Sequence, residues 1–274
     1  MSLNQVFQIH LDKILQEKAP RMAKKMPRFL VKWMMKIVHQ DDCNEALRYI
    51  GDETGVEAMS RLVEYFNLTL YVEGLDNIPG DRKFIFASNH PLGGLDGICL
   101  SAIVGKKYDH QIKYIVNDIL YFIKPLQPIF IPINKHGAQS KRSAQLINDA
   151  FESENQVITF PAGFCSRKSK GRIEDPEWKK MVVLKAVEYQ RDIIPVYFVG
   201  HNSRFFYWLA SVRKKLKLKL NIEMLFLPAE MFKQRNASFT IRFGDAIPWQ
   251  TFDNSKNPQQ WTNWIKSVVY QMEK

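Results

Sequence analysis

One histidine and one aspartate flank a short Pro-Leu-Gly-Gly-Leu stretch in Phe84-Ile85-Phe86-Ala87-Ser88-Asn89-His90-Pro91-Leu92-Gly93-Gly94-Leu95-Asp96-Gly97. An imidazole with one nitrogen held by a carboxylate can take a proton from a hydroxyl with the other nitrogen. The hydroxyl activated in this way belongs to a substrate, so no serine of the protein's own is needed. The plainer alternative is that Asp96 only caps a helix and His90 is a loop residue satisfied by backbone. Gly93 and Gly94 favour the chemical reading, because they let the chain fold tightly enough to join the two side chains and leave room for a ligand beside them.

The elements around the pair support that placement. Phe84 to Ala87 has the length and aromatic content of a buried strand, and it stops at a polar pair followed by Pro91 and two glycines. Gly97 to Val104 is mostly apolar and reads as a helix with Asp96 near its start. Strand, turn and helix thus deliver Asn89, His90 and Asp96 to the carboxyl edge of a sheet, where open α/β sheets keep their sites.

The rest of the chain reads as strands alternating with helices. Strands are expected at Leu68 to Glu73, Ile112 to Val116, Ile129 to Ile133, Val157 to Phe160, Ile193 to Val199, Ile222 to Leu227 and Phe239 to Phe243. Helices are expected over residues 5 to 18, 43 to 66 with a break at Gly51 to Gly55, Asp118 to Ile123, Ser140 to Glu152, Trp178 to Gln190 and Trp261 to Met272. That alternation indicates an α/β fold with a mainly parallel, helix-covered sheet over residues 67–274 and a helical N-terminal appendage over 1–66.

With 274 residues and 46% hydrophobic content, the chain can bury a large core. Its 39 Lys and Arg against 28 Asp and Glu leave +11, which calls for an anionic partner: nucleic acid, an acidic membrane surface, or an acidic or phosphorylated substrate. The three cysteines, Cys43, Cys99 and Cys165, have neither a pairing pattern nor metal-ligand spacing, and no nucleotide-binding glycine motif is present. No apolar window approaches the roughly 20 residues that span a bilayer, so a soluble or peripheral cytoplasmic protein is expected. Arg21 to Val38 alternates cations (Arg21, Lys24, Lys25, Arg28, Lys32, Lys36) with Met, Phe, Trp and Leu, as a helix lying in a membrane interface does, though an ordinary amphipathic helix has the same pattern.

Two further stretches carry polar groups at strand ends. Pro161-Ala162-Gly163-Phe164-Cys165-Ser166-Arg167-Lys168 places hydroxyls and cations after a turn, a composition suited to a phosphate or carboxylate. Gly200-His201-Asn202-Ser203-Arg204-Phe205-Phe206-Tyr207-Trp208-Leu209 is an aromatic run beside one arginine, fit to line an acyl-chain groove or simply to fill core.

Taken together, these blocks resemble the lysophospholipid acyltransferase superfamily, with the glycerol-phosphate acyltransferase fold, and more narrowly its hemolysin-like branch of ornithine- and glycine-lipid O-acyltransferases. The resemblance runs from about Val72 to Pro248. It is carried by Asn89 to Gly97, by Phe160 to Gly163 with Ser166 and Arg167, and by Ile194 to Phe198 with Gly200, Asn202 and Ser203. It implies that His90 is the general base, Asp96 its orienting carboxylate, and Gly163, Ser166 and Arg167 neighbours of the acceptor's polar head.

Departures from the wider superfamily point to a narrower acceptor. Five residues rather than four separate His90 from Asp96, Ala162 stands where a glutamate is usual, and Lys135 is the nearest cation to the second motif's missing arginine. These favour a lyso-lipid with an amino-acid head over lysophosphatidic acid. The expectation is therefore a peripheral-membrane O-acyltransferase without a bound cofactor. It would move an acyl group from an acyl-carrier protein or coenzyme A thioester to a lyso-lipid hydroxyl on an anionic membrane, using no nucleic acid. Asn89, Gly93, Gly94, Lys135, Gly163, Ser166, Arg167, Lys168, Asn202 and Arg204 would line the substrate site. The alternatives are a non-catalytic basic protein, membrane-active or nucleic-acid binding.

Overall fold

The computed structural model describes residues 7–18, 20–133, 138–169, 171–218 and 221–274. Lys135, a candidate substrate ligand, lies outside the described residues, as does the start of the first expected helix. The chain opens with helices α1 (Leu11–Lys18), α2 (Pro20–Lys25), α3 (Arg28–Ile37), α4 (Gln40–Ile50) and α5 (Gly55–Tyr65). Strands β1 (Thr69–Glu73) and β2 (Phe84–Ser88) then lead into α6 (Gly94–Lys107), followed by β3 (Ile112–Asn117), β4 (Phe130–Ile133), α7 (Ala138–Glu152) and β5 (Gln156–Thr159). A hairpin of β6 (Arg167–Ser169) and β7 (Arg172–Glu174) precedes α8 (Met181–Glu188), β8 (Asp192–Phe198), α9 (Arg204–Lys215), α10 (Leu227–Phe232), β9 (Ser238–Phe243) and α11 (Pro258–Gln271).

Among the described residues, seven strands form one sheet in the order β1-β9-β8-β2-β5-β3-β4. The five strands from β8 to β4 are parallel to one another, and β9 turns antiparallel to β8 with β1 parallel to it. Every residue of β2 is buried, as a strand covered on both faces requires. Phe84 and Phe86 point into one core with Leu47, Met59 and Leu100 of α4, α5 and α6, while Ile85 and Ala87 point into the other with Phe151, Val183 and Ile265 of α7, α8 and α11. The alternate side chains of one five-residue strand therefore anchor both layers of helices.

Strand order explains why three distant motifs meet. β5 and β8 are the two neighbours of β2, and all three run the same way. Their carboxyl ends deliver Ser88 to His90, Phe160 to Gly163, and Val199 to Asn202 to a single edge.

Two expected elements differ in the structure, and one stretch given no element folds as a hairpin. Ile222 to Leu227 is a 3-10 turn (Ile222–Phe226) running into α10, not a strand. A six-residue apolar run fits either period, and here the buried Glu223 and Glu230 bind neighbouring side chains rather than a strand ladder. Asp118 to Ile123 forms only a 3-10 turn, Leu120–Phe122. The basic stretch after Gly163 forms the β6–β7 hairpin, paired Arg167 to Glu174 and Ser169 to Arg172. At the amino end α4 and α5 contribute Leu47, Ile50, Val56 and Met59 to the same core as β2. In contrast, α3 leaves Phe29 73% and Trp33 55% exposed, and none of its residues is buried.

Close approach fixes the identity of one residue beside the site. A side-chain carbon at Gly97, in the first turn of α6, would overlap the hydroxyl end of the Tyr114 ring on β3. Tyr114 is itself wedged between Phe130 and Phe160, so it has little freedom to retreat. Gly97→Ala should thus lower stability by about 1 to 3 kcal/mol through overpacking, read as a lower urea midpoint at unchanged slope. An unchanged midpoint would show that the Tyr114 ring yields freely.

Candidate active site

His90 and Asp96 meet. The Nδ1 of His90 lies 3.1 Å from Oδ2 of Asp96, whose side chain is fully buried, while 15% of the His90 side chain is exposed. The same Oδ2 accepts the backbone N–H of Leu92 at 3.0 Å and of Gly93 at 3.3 Å, and Oδ1 accepts that of Gly97 at 3.0 Å. Capping and orienting, set against each other as alternatives by the sequence, are one arrangement here: the carboxylate that caps α6 also holds the ring. With Nδ1–H donating to Asp96, the imidazole is left with Nε2 as its free basic nitrogen.

The turn between the two residues depends on Gly93, whose φ of 89° few side chains tolerate. Both glycines also serve packing. Leu227 methyls lie 3.1 and 3.2 Å from where a Gly93 side chain would begin, and Met231 Sδ lies 3.3 Å from the same point on Gly94. Helix α10 thus closes over one side of the turn.

The end of β5 forms the wall beside the imidazole. The Phe160 ring stacks on His90 with centroids 4.2 Å apart. Beyond it the backbone N–H of Ser166 donates to the His90 carbonyl at 2.7 Å. The Ser166 side chain is buried and donates to Asp175 Oδ1 at 2.7 Å, so it is a link in the scaffold and not a free head-group ligand.

Asp175, which sequence reasoning missed, is the hub of this link. Its buried carboxylate accepts the His90 N–H at 3.1 Å and the Trp178 indole N–H at 2.9 Å, in addition to Ser166. Its own N–H donates to the Tyr270 hydroxyl at 2.7 Å. Burial raises the carboxyl pKa, against the lowering effect of those hydrogen bonds.

At the ends of β2 and β8, two asparagines brace the histidine loop. Asn89 is buried and bonds both ways to the Phe198 backbone, Nδ2 to its carbonyl at 3.0 Å and Oδ1 from its N–H at 2.7 Å. Asn202 Nδ2 donates to the Pro91 carbonyl at 3.1 Å, and its backbone N–H donates to the Tyr207 hydroxyl at 3.0 Å. Both were expected as substrate ligands, and both hold backbone instead. Gly163, Lys168 and Arg204 are exposed, the last two on β6 and at the start of α9.

Arg167 is also committed. Its guanidinium donates to the Cys165 and Ser166 carbonyls at 2.7 and 3.2 Å and to Glu223 at 3.1 Å, and it lies 5.0 Å from the Phe206 ring centre. Glu223 has no exposed surface and is also 2.9 Å from Arg213 Nε, a close ionic approach without hydrogen-bond alignment. Two arginines thus share one buried carboxylate.

The electrostatics suit a base. Burial drives the His90 pKa down, but the charge of Asp96, the hydrogen bond to it and the charge of Asp175 drive it up against Arg167, and the balance lies above the ordinary 6.5. The thiols are poor nucleophiles by comparison. Burial pushes Cys165 up to about 11 and Cys99 higher still. A cleft of about 490 Å³ lined by Pro195, Trp264 and Met272 contains none of the candidate residues.

This commitment of Arg167 predicts a structural effect on substitution. Arg167→Ala should destabilise the fold by on the order of 2 kcal/mol, less than fully orphaning a buried charge because Arg213 remains. Loss of an acceptor ligand alone would instead raise the acceptor KM with an unchanged melting temperature, which thermal unfolding and kinetics together distinguish.

Known proteins similar to this chain identify its family. A family model described as Acyltransferase matches residues 13–273. A lyso-glycine lipid O-acyltransferase of Bacteroides thetaiotaomicron is 46% identical over 272 residues, covering 99% of this chain and all of the relative. A protein of the same description from Phocaeicola vulgatus is 44% identical over 272 residues, with 99% and 98% covered. The crystal structure of the 1-acyl-sn-glycerophosphate (LPA) acyltransferase PlsC from Thermotoga maritima is similar with a TM-score of 0.50 at 15% identity, covering 96% of this chain and 86% of that one, a likeness of fold. With a family model and two relatives that match almost from end to end, the chain belongs to the acyltransferase family and is an acyl-transferring enzyme.

Proposed function

We propose that this enzyme acylates the hydroxyl of a lyso-lipid with an amino-acid head, of which lyso-glycine lipid is the best candidate. The donor is an acyl thioester of acyl-carrier protein or coenzyme A. The observation that carries the reading is the His90–Asp96 hydrogen bond, which leaves Nε2 available in a partly exposed ring. The description of the two relatives as lyso-glycine lipid O-acyltransferases supports the acceptor. A glycine head group offers a carboxylate, and the exposed cations Lys168, on β6, and Arg204, at the start of α9, follow strands that end at the same sheet edge.

The chemistry follows from the protonation state. Asp96 keeps the proton on Nδ1, and Nε2 takes the proton of the acceptor hydroxyl as its oxygen bonds to the thioester carbonyl carbon. Collapse of the tetrahedral intermediate breaks the carbon–sulfur bond, and the imidazolium returns its proton to the departing thiolate. The charge of Asp96 stabilises the imidazolium in between, the same effect that raises the pKa of His90.

The lipid acceptor requires a membrane contact, and α3 is suited to one. No helix among the described residues is long and apolar enough to cross a membrane. However, Phe29 and Trp33 stand exposed on α3 among the exposed cations Arg28, Lys32 and Lys36, a pattern that suits an anionic headgroup layer on the cytoplasmic face.

The pH profile tests the mechanism. The base works only when neutral, so activity should fall as pH drops through the His90 pKa. The acid limb of kcat/KM should therefore have its midpoint above 6.5, the ordinary imidazole value. Asp96→Asn removes the charge that raises this pKa, so the limb should move to lower pH while the rate falls by about 10²-fold or more. His90→Ala should abolish transfer with the fold intact. A profile whose acid limb is unmoved by Asp96→Asn would show that another group is the base.

A further inference from the structure

Helix α9 has two apolar faces, and only one of them is covered. Phe206, Tyr207 and Ala210 are buried against the domain. Phe205, Trp208, Leu209, Val212 and Leu216 recur at helical spacing on the other side, where Phe205 is 44%, Trp208 58% and Leu216 64% exposed. Phe205 and Trp208 form one cluster with Phe226, at centroid distances of 5.9 and 5.4 Å from Phe205. The carboxyl end of the helix adds Lys214, Lys215 and Lys217, all exposed and with no ion pair among the described residues. A soluble surface does not leave such a stripe open without an occupant.

We infer that α9 is a second membrane-docking element, which seats the active-site edge on an anionic lipid surface. This inference rests on the proposed lipid acceptor. The chemistry of the stripe favours a bilayer. Trp208, Phe205 and Leu216 fit the acyl boundary, the lysines fit headgroup phosphates, and the whole chain carries +11.

The covered side of α9 connects directly to the catalytic loop. Phe206 packs over Arg167, and the Tyr207 hydroxyl accepts from Asn202, whose side chain holds the Pro91 carbonyl next to His90. Ser203, which caps α9, donates to Glu230 of α10 through both its N–H (2.6 Å) and its hydroxyl (2.8 Å), and α10 closes over Gly93 and Gly94. At the far end of α10, Phe232 stacks on His39, just beyond α3. Thus α10 joins the two exposed aromatic elements and lies on the loop that carries the base.

Co-sedimentation of the full chain with vesicles tests this. The vesicles are phosphatidylcholine alone, or phosphatidylcholine with phosphatidylglycerol. One variant combines Phe205→Ser with Trp208→Ser, another combines Lys214→Glu, Lys215→Glu and Lys217→Glu, and a third combines Lys24→Glu, Lys25→Glu and Lys32→Glu to report on the amino-terminal helices. Each α9 variant should bind the anionic vesicles at least about tenfold more weakly than the wild type, with an unchanged melting temperature. Acyl transfer between detergent-dispersed substrates should stay within about twofold of the wild-type rate. Wild-type binding by both α9 variants overturns the inference, as does a loss confined to binding of immobilised acyl-carrier protein, which would make the stripe a protein-docking face. A wild type that docks on vesicles yet transfers no acyl group in detergent would instead refute the proposed function and leave the docking face standing.

Discussion

Asp96 has no solvent-exposed surface, and its carboxylate accepts N–H groups from His90, Leu92, Gly93 and Gly97. A carboxylate stripped of water is costly unless fully hydrogen-bonded, so the turn that supplies three backbone donors is a condition for burying it. Bonds to a charged group are worth about 1.5 to 3 kcal/mol each. Together they offset much of the backbone entropy of about 1 to 2 kcal/mol per residue that is lost in ordering the turn. The position at the start of α6 adds the favourable end of the helix dipole. The fourth donor is the imidazole, so the interaction that folds the loop also selects the tautomer that leaves Nε2 free.

The remainder of the site holds this arrangement in place. The carboxyl ends of β5, β2 and β8 each contribute one layer: the Phe160 ring against the imidazole, the loop itself, and the asparagines that tie it to Phe198 and Pro91. A second buried acid, Asp175, fastens the His90 backbone to Ser166 and Trp178. A third, Glu223, anchors the β6 hairpin to α9 through Arg167 and Arg213. Buried acids with their donors gathered around them therefore fix the edge of the sheet three times over. The fixed scaffold leaves His90 as a partly open ring at that edge.

Much of this was legible in the sequence where local signals act alone. The apolar run of β2, the β5 and β8 runs beside it, and the glycine turn into α6 mark themselves by length and punctuation, and they place His90 and Asp96 on one edge. What escaped depends on the fold closing on itself. Asp175 is an acid in an ordinary polar stretch until the β6–β7 hairpin returns it under His90. Gly93 and Gly94 look like space for a ligand until α10, which follows the stretch read as a strand, packs onto them. Arg167 looks like a free cation because Glu223, its partner, lies 56 residues away. The aromatic run from Phe205 to Trp208 fits either groove or core in one dimension, with core the commoner case, and only its helical arrangement separates the buried Phe206 and Tyr207 from the exposed Phe205 and Trp208.

The central claim is that Asp96 holds the neutral His90 ring with its proton on Nδ1. A long-range proton–nitrogen correlation spectrum of histidine-labelled enzyme, at a pH above the His90 titration, reads that tautomer directly, with His90→Ala identifying the signal. The account predicts an Nδ1-protonated neutral ring, and loss of that preference in Asp96→Asn. A ring protonated on Nε2 in the wild type would contradict it, because the nitrogen needed to accept the hydroxyl proton would already be occupied.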